Sequence, residues 1–270
     1  MNQPKVTILI PNYRTLTLTK LCLRLLRKYT TPELVHIIVI DNDSKDESVT
    51  YLRTLNWIEL IERTAIPGEA PAESHSRAMD LALGKVTTPY VLSIHTDTLV
   101  KRPDWLEFLL SHIENNPKVA GVGSWKLESK PLLKRWAKQV ERLVQTQYYK
   151  ILNKKNHAIE GQDDNYYYLR SHCALYRMDL IRQLNTGFGD GDAVAGKVMH
   201  KKLVDAGYQM IFLPSEQLGQ YVDHINHATM VLNPELGARD KTIQQGKERI
   251  EQRLKAVNAN QILVDSSLDN

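Results

Sequence analysis

The run Ser93-Ile-His-Thr-Asp-Thr98 sets an imidazole two residues ahead of a carboxylate. An ionised carboxylate is purely an acceptor and suits a hard divalent cation, while imidazole is a softer metal ligand. Two more imidazoles, His224 and His227, stand three apart in His-Ile-Asn-His. With Asp97 they could also form a zinc site, although no H-E-x-x-H sequence is present to supply a water-activating glutamate. The segment Gly187-Phe-Gly-Asp-Gly-Asp192 carries two carboxylates, Asp190 and Asp192, just before a helix-like stretch. Either can take a proton from a hydroxyl, or cap that helix near its positive end. Asp41 and Asp43 follow an apolar run, and Asp43-Ser44 could also cap the segment after it. Arg77, in Ser74-His-Ser-Arg-Ala-Met-Asp80, offers a planar fork to an anion, with His75 beside it as a secondary candidate.

Short apolar runs must position these groups. Val6–Ile10 is β-branched and is stopped by Pro11 and Asn12, so a buried strand is predicted. Leu18, Leu21, Cys22, Leu25, Leu26 and Tyr29 recur at helical spacing. Further strands are predicted at His36–Ile40, Ile58–Ile61, Tyr90–Ile94 and Val119–Val122. Helices are predicted at Glu47–Leu55, Ser74–Leu83 and from Pro103 to Ile113. Strand and helix alternate with short connections, which implies an α/β fold with a Rossmann-like, mostly parallel sheet flanked by helices. Ligands of such sheets gather at the carboxyl ends of the strands. Asn12, Tyr13, Asp41, Asp43, His95, Thr96 and Asp97 all fall there.

The second half is less regular. Lys126–Asn156 reads as a basic helix, Tyr168–Tyr176 as a strand, and Ala193–Ala206 as a helix closed by Gly207. Gln209–Leu213 reads as a strand and Arg239–Val257 as a polar helix, with Asn258–Asn270 a flexible tail. No repeat or linker divides the chain. Residues 1–257 are therefore expected to be one domain, with a first half at 1–125 and a second at 126–257.

Composition narrows the class. The chain has 270 residues, 42% of them hydrophobic and 24% charged, with a net charge of +4. That length supports a sizeable core. No apolar run is long enough to span a bilayer, and Met1–Lys5 lacks the charged-then-apolar form of a signal peptide. Cys22 and Cys173 fit no disulfide or zinc pattern and are expected to be buried thiols in a reducing, cytoplasmic compartment. The basic, aromatic-bearing stretch 132–155 could rest on the inner face of a membrane, or simply cover the cleft. No nucleic-acid-binding motif is present, and no nucleic-acid partner is expected.

Val6-Thr-Ile-Leu-Ile-Pro-Asn-Tyr-Arg14 followed by Ile38-Val-Ile-Asp-Asn-Asp-Ser44 resembles the opening of glycosyltransferase family 2. Ser93–Thr98 lies where that family carries its Asp-x-Asp motif, and Ser74–Asp80 resembles its Ala-Arg-Asn segment. Gly187–Asp192, with Asp205-Ala-Gly-Tyr208 downstream, resembles its Gly-Gly-Phe-Asp segment and the helix that follows. The resemblance is strongest over 5–105 and traceable over 168–214. It implies a GT-A fold and transfer of a sugar from a nucleotide diphosphate, most often UDP, to a hydroxyl of a saccharide or lipid-linked acceptor, typically with inversion. Polysaccharide or glycoconjugate synthesis is the setting implied by analogy.

By this resemblance Pro11, Tyr13, Asp41 and Asp43 contact the nucleoside, Asp41 by accepting the uracil N3–H. Arg77, His95 and Thr96 contact the ribose, the diphosphate or the donor sugar. Asp97 holds Mn²⁺ or Mg²⁺, joined by His224 or His227. Asp192, with Asp190 second, is the general base. The sequence departs from the family at His95, which replaces the first acidic residue, and in lacking the usual Glu-Asp pair. Two other classes therefore stay open: a nucleotide-sugar-binding protein without catalysis, and a nucleotidyltransferase. The latter usually has a glycine-rich first loop, which Asn12-Tyr13-Arg14-Thr15-Leu16 is not.

Overall fold

The computed structural model describes residues 3–127, 161, 165–191, 194–226, 228–236 and 239–270. The strands are β1 (Val6–Asn12), β2 (Val35–Asn42), β3 (Glu59–Arg63), β4 (Tyr90–Ile94), β5 (Thr98–Val100), β6 (Val119–Gly123), β7 (Cys173–Arg177), β8 (Gln209–Phe212) and β9 (Val222–His224). Seven of them form a sheet in the order β3-β2-β1-β4-β7-β6-β8. Its neighbours are parallel except where β7 meets β4 and β6. β5 and β9 make a separate antiparallel ribbon. The helices are α1 (Leu16–Tyr29), α2 (Glu47–Leu52), α3 (Pro71–Leu83), α4 (Trp105–Ser111), α5 (Met178–Gln183), α6 (Lys197–Asp205), α7 (Ser215–Leu218), α8 (Ala228–Leu232), α9 (Asp240–Ala256) and α10 (Ala259–Val264).

Strand side chains alternate between faces, and this sheet buries both. In β1, Val6, Ile8 and Ile10 join a core with α1, α4 and α10, while Leu9 joins a second core with α3, α5 and α6. β2 divides likewise, with Ile37 and Val39 on one side and Ile38 and Ile40 on the other. Burial of each such side chain contributes about 1.5–3 kcal/mol. The apolar stripe read from Leu18 to Leu26 is the buried face of α1.

Several boundaries move for local reasons. Asp46, rather than Asp43 or Ser44, caps α2, its carboxylate accepting from Ser48 N at 3.0 Å. α3 begins at Pro71, whose fixed φ suits the first helical turn. The run Tyr168–Tyr176 pairs in the sheet only from Cys173, and the residues before it form an irregular lead-in. α6 starts at Lys197, after Gly196 at φ +77°, and Gly207 at φ +89° follows its end as expected.

The expected flexible tail is instead folded onto α1. α10 buries Ala259 and Ile262, and Asp269 accepts from Arg24 Nε at 2.8 Å and Tyr51 OH at 2.7 Å. Arg24 is buried within an apolar helix face, so its charge needs a carboxylate partner, and Asp269 supplies it. Both cysteines are buried and free. Among the described residues no helix is long and apolar enough to cross a membrane. The stretch 132–155 lies outside the described residues.

Candidate active site

The carboxyl ends of β1, β2 and β4 open into a cleft of about 730 Å³, a size typical of small-molecule sites. Because β7 is antiparallel to β4 and β6 to β7, the start of β7 and the end of β6 reach the same edge. The loops after β1 and β2 contribute Pro11, Tyr13, Asn42 and Asp43. The lead-in to β7 contributes Arg170, Ser171 and His172, and the end of β6 contributes Trp125.

Asp97 sits between these flanks, in the turn from β4 to β5. The β5–β9 ribbon pairs Thr98 with His224, which brings His224 alongside Asp97. Ile225 N donates to the Asp97 backbone oxygen at 2.9 Å, and Ala228 N, at the start of α8, to its Oδ2 at 3.3 Å. His224 Nε2 lies 3.2 Å and His95 Nδ1 3.9 Å from Asp97 Oδ1. Further imidazoles enclose the group: His75 and His95 meet edge-on at 5.0 Å, and His172 stacks on His224 at 4.4 Å.

The electrostatics of this cluster separate its members. Burial pushes the His75 pKa down to about 4, that of His95 to about 3, and that of His172 well below its ordinary value. These rings are neutral at pH 7 and keep a lone pair. Burial alone would lower His224 too, but the charge and contact of Asp97 outweigh it and the net direction is upward. Burial opposes the Asp97 charge, yet His224 holds that carboxyl below the ordinary range.

Asp97 Oδ1 is buried and, beyond its ion pair with His224 Nε2, makes no hydrogen bond among the described residues. Buried polar atoms are seldom left so. Ligand atoms of His95, Asp97 and His224 all lie within 4.8 Å of one another. A buried carboxylate oxygen faced by two imidazoles fits a divalent cation. Ser171 Oγ, 3.0 Å from His95 Nε2, orients that ring with its Nδ1 toward Asp97.

Pro11, Tyr13, Asp43, His95, Thr96, Asp97 and His224 therefore line one cleft, and so does His75. Asp41 lies beneath the lining. Its carboxylate accepts from Asn12 Nδ2 at 2.8 Å and Ser44 N at 3.0 Å. A buried chain continues from Asn12 Oδ1 to Thr19, Thr15 and Thr96, tying the loops of β1, β2 and β4 together. Arg77 is not part of the cleft lining: it pairs with Glu73 on α3 and, at 3.4 Å, with Glu69, whose side chain is buried and which does line the cleft. Asp190 is also outside it, bound to Thr186 Oγ1 at 2.7 Å and to Lys202. Asp192 and His227 lie outside the described residues.

The Gly187–Asp190 segment is fixed by Asp80 of α3, which accepts from Phe188 N at 2.6 Å and Gly189 N at 2.9 Å. A Cβ at Gly187 would approach Asp80 Oδ1 to 2.5 Å, which explains the glycine. Sequence reasoning missed Trp125, Arg170, Ser171 and His172. The signal was a polar Arg-Ser-His triplet inside a run otherwise suited to a strand.

A family model described as glycosyl transferase family 2 matches residues 7–184. The chain belongs to glycosyl transferase family 2. Its fold is the GT-A fold that the sequence resemblance implied. Among solved structures, this family 2 chain is similar to the mannosyltransferase PcManGT from Pyrobaculum calidifontis, in complex with GDP-Man and Mn²⁺. The identity is 18% and the TM-score 0.54, over 78% of this chain and 55% of that one. It is also similar to residues 1–349 of S. aureus TarS, with 13% identity and a TM-score of 0.52, over 93% of this chain and 72% of that one. The family 2 chain thus spans about half the length of the mannosyltransferase. A search of curated proteins gave no match.

Proposed function

We propose that the protein transfers a glycosyl group from a nucleotide-diphosphate sugar to an acceptor hydroxyl. The observation that carries this reading is the buried Asp97 carboxylate, faced by His95 and His224, beside the first two loops of the sheet. The nucleoside occupies the hollow lined by Pro11, Tyr13, Asn42 and Ile66. Asp41 acts from below, holding Asn12 and the Ser44 backbone so that this hollow keeps its shape. UDP is the nucleotide first assigned, on the resemblance of those two loops. Mn²⁺ or Mg²⁺ held by His95, Asp97 and His224 would neutralise charge on the departing diphosphate.

In the reaction the acceptor oxygen attacks the anomeric carbon as the bond to the diphosphate breaks, and its proton passes to a carboxylate. A single in-line displacement inverts the anomeric centre. The loop ending in Val194 and Ala195 borders the cleft. Since Asp190 is engaged by Thr186 and Lys202, the base assigned is Asp192. The acceptor belongs on the flank formed by β6 and β7, and a polysaccharide or lipid-linked saccharide is the class assigned.

The test is nucleotide release from UDP- and GDP-sugars with Mn²⁺, with and without Asp97→Ala. Donor hydrolysis that disappears in the variant is the expected result. Tight nucleotide binding without turnover across donors and acceptors would instead indicate a binding protein. Pyrophosphate release from a nucleoside triphosphate would indicate nucleotidyl transfer.

A further inference from the structure

We propose that Arg170 is the side chain that grips the donor diphosphate, from the flank of the cleft opposite the nucleoside loops. This builds on the nucleotide-sugar reading of the same cleft and names a group that reading lacks. A departing diphosphate needs fixed hydrogen-bond donors as well as a cation. Arg77, the sequence candidate, is absent from the lining and is already paired with Glu69 and Glu73.

Among the described residues the cleft is lined by the cations Arg14, Lys45, Lys126 and Arg170. Arg14 pairs with Glu235 at 3.3 Å and Lys45 with Asp43 at 3.1 Å. Lys126 lies over the Trp125 ring. Arg170 has no carboxylate partner among the described residues. Its guanidinium lies 4.5 Å from the centre of the Trp125 ring and 5.2 Å from that of Tyr168. It spends a single N–H, from Nη1, on Tyr168 OH at 2.7 Å. The rest of the fork has no protein acceptor among the described residues.

The backbone is pinned as well, with Arg170 N donating to Ser124 O at 3.0 Å and Cys173 N to Arg170 O at 3.3 Å. A stacked, pinned guanidinium loses little further freedom on binding an anion, and its planar fork matches phosphoryl oxygens. Its place in the chain is informative too. The next residue, Ser171, orients His95, so Arg170 stands one residue from the group that orients a candidate cation ligand. The Arg170 charge also contributes to keeping His95 and His172 neutral.

The experiment is isothermal titration of the full chain with UDP, GDP, UMP and GMP in Mn²⁺, for wild type, Arg170→Ala and Arg170→Lys. Arg170→Ala should weaken the tighter-binding diphosphate by about 10- to 100-fold, and its monophosphate by less than about threefold. Arg170→Lys keeps the charge without the fork and should fall between, which carries the comparison should the alanine variant not fold. Equal losses for mono- and diphosphate would mark Arg170 as merely structural and overturn the proposal, as would an unchanged diphosphate affinity. If wild type binds none of the four nucleotides, the nucleotide-sugar reading itself fails, and this assignment with it.

Discussion

Asn12 and Asp41 are register partners on the adjacent parallel strands β1 and β2, and the Asn12 amide donates to the Asp41 carboxylate at 2.8 Å. The same amide nitrogen also reaches Ser48 Oγ at 2.9 Å, and Asn12 Oδ1 accepts from Thr19 at 2.7 Å. Asn12 is fully buried. Asn12→Ala should therefore cost about 2–4 kcal/mol in urea unfolding, because several buried groups lose partners together. Asn12→Asp would set carboxylate against carboxylate. Its penalty should be larger at pH 7 than at pH 4, since protonation of one group relieves the repulsion.

Metal binding should discriminate between ions. Two of the three candidate ligands are imidazoles, which suit Mn²⁺ better than Mg²⁺. At equal millimolar concentration Mn²⁺ should raise the melting temperature more than Mg²⁺ does. Saturation to a hundred times the dissociation constant corresponds to about 2.7 kcal/mol. Asp97→Asn and His224→Ala should each abolish the Mn²⁺ shift. Equal shifts with both ions, unaffected by these variants, would remove the cation from this cluster.

Asp80 should matter more to turnover than to nucleotide affinity. Among the described residues it is hydrogen-bonded to no group lining the cleft but holds the Phe188 and Gly189 amides, and so the loop that leads to Asp192. Asp80→Ala leaves both amides without their acceptor and should cost roughly 2 kcal/mol of stability. With nucleotide release as the readout, kcat should fall while the dissociation constant for UDP stays within about twofold, a change of under 0.5 kcal/mol. A variant with full turnover would show that the loop does not depend on this clamp.

Acid stability should carry the signature of His200. It is buried behind the sheet, accepts from Leu169 N at 3.3 Å, and burial lowers its pKa from 6.5 to about 4. The unfolded chain takes up a proton below pH 6.5 that the folded chain refuses until about pH 4. The stabilisation is thus complete above pH 6.5 and is lost as the pH falls toward 4, by an amount on the order of 3 kcal/mol. Unfolding free energies measured across that window should decline, and His200→Gln should lessen the decline, the rest coming from His75, His95 and His172.

Much of the donor side was legible in the sequence. β1, β2 and β4 are continuous apolar runs, and α1 shows an unbroken helical stripe, because each is buried against a core. Asp97 and His95 could be placed because they directly follow such a run. The ribbon of β5 and β9 was not legible. Three residues per strand hold too little periodicity to register, yet that pairing is what delivers His224 to Asp97. Arg77 and Arg170 show the same limit from opposite sides. A motif singled out the first, and two acidic neighbours on α3 and its approach drew it away. The second was hidden in a run that reads as strand, and only the reversed direction of β7 turns it toward the cleft.

That reversal also sets both ends of one connection at the site. β6 ends and β7 begins at the same rim, so Trp125 and Lys126 at one end of the connection between them and Arg170, Ser171 and His172 at the other all line the site. A change at these ends breaks no rung of the ladder, yet through Ser171 it reaches His95 on the neighbouring strand end.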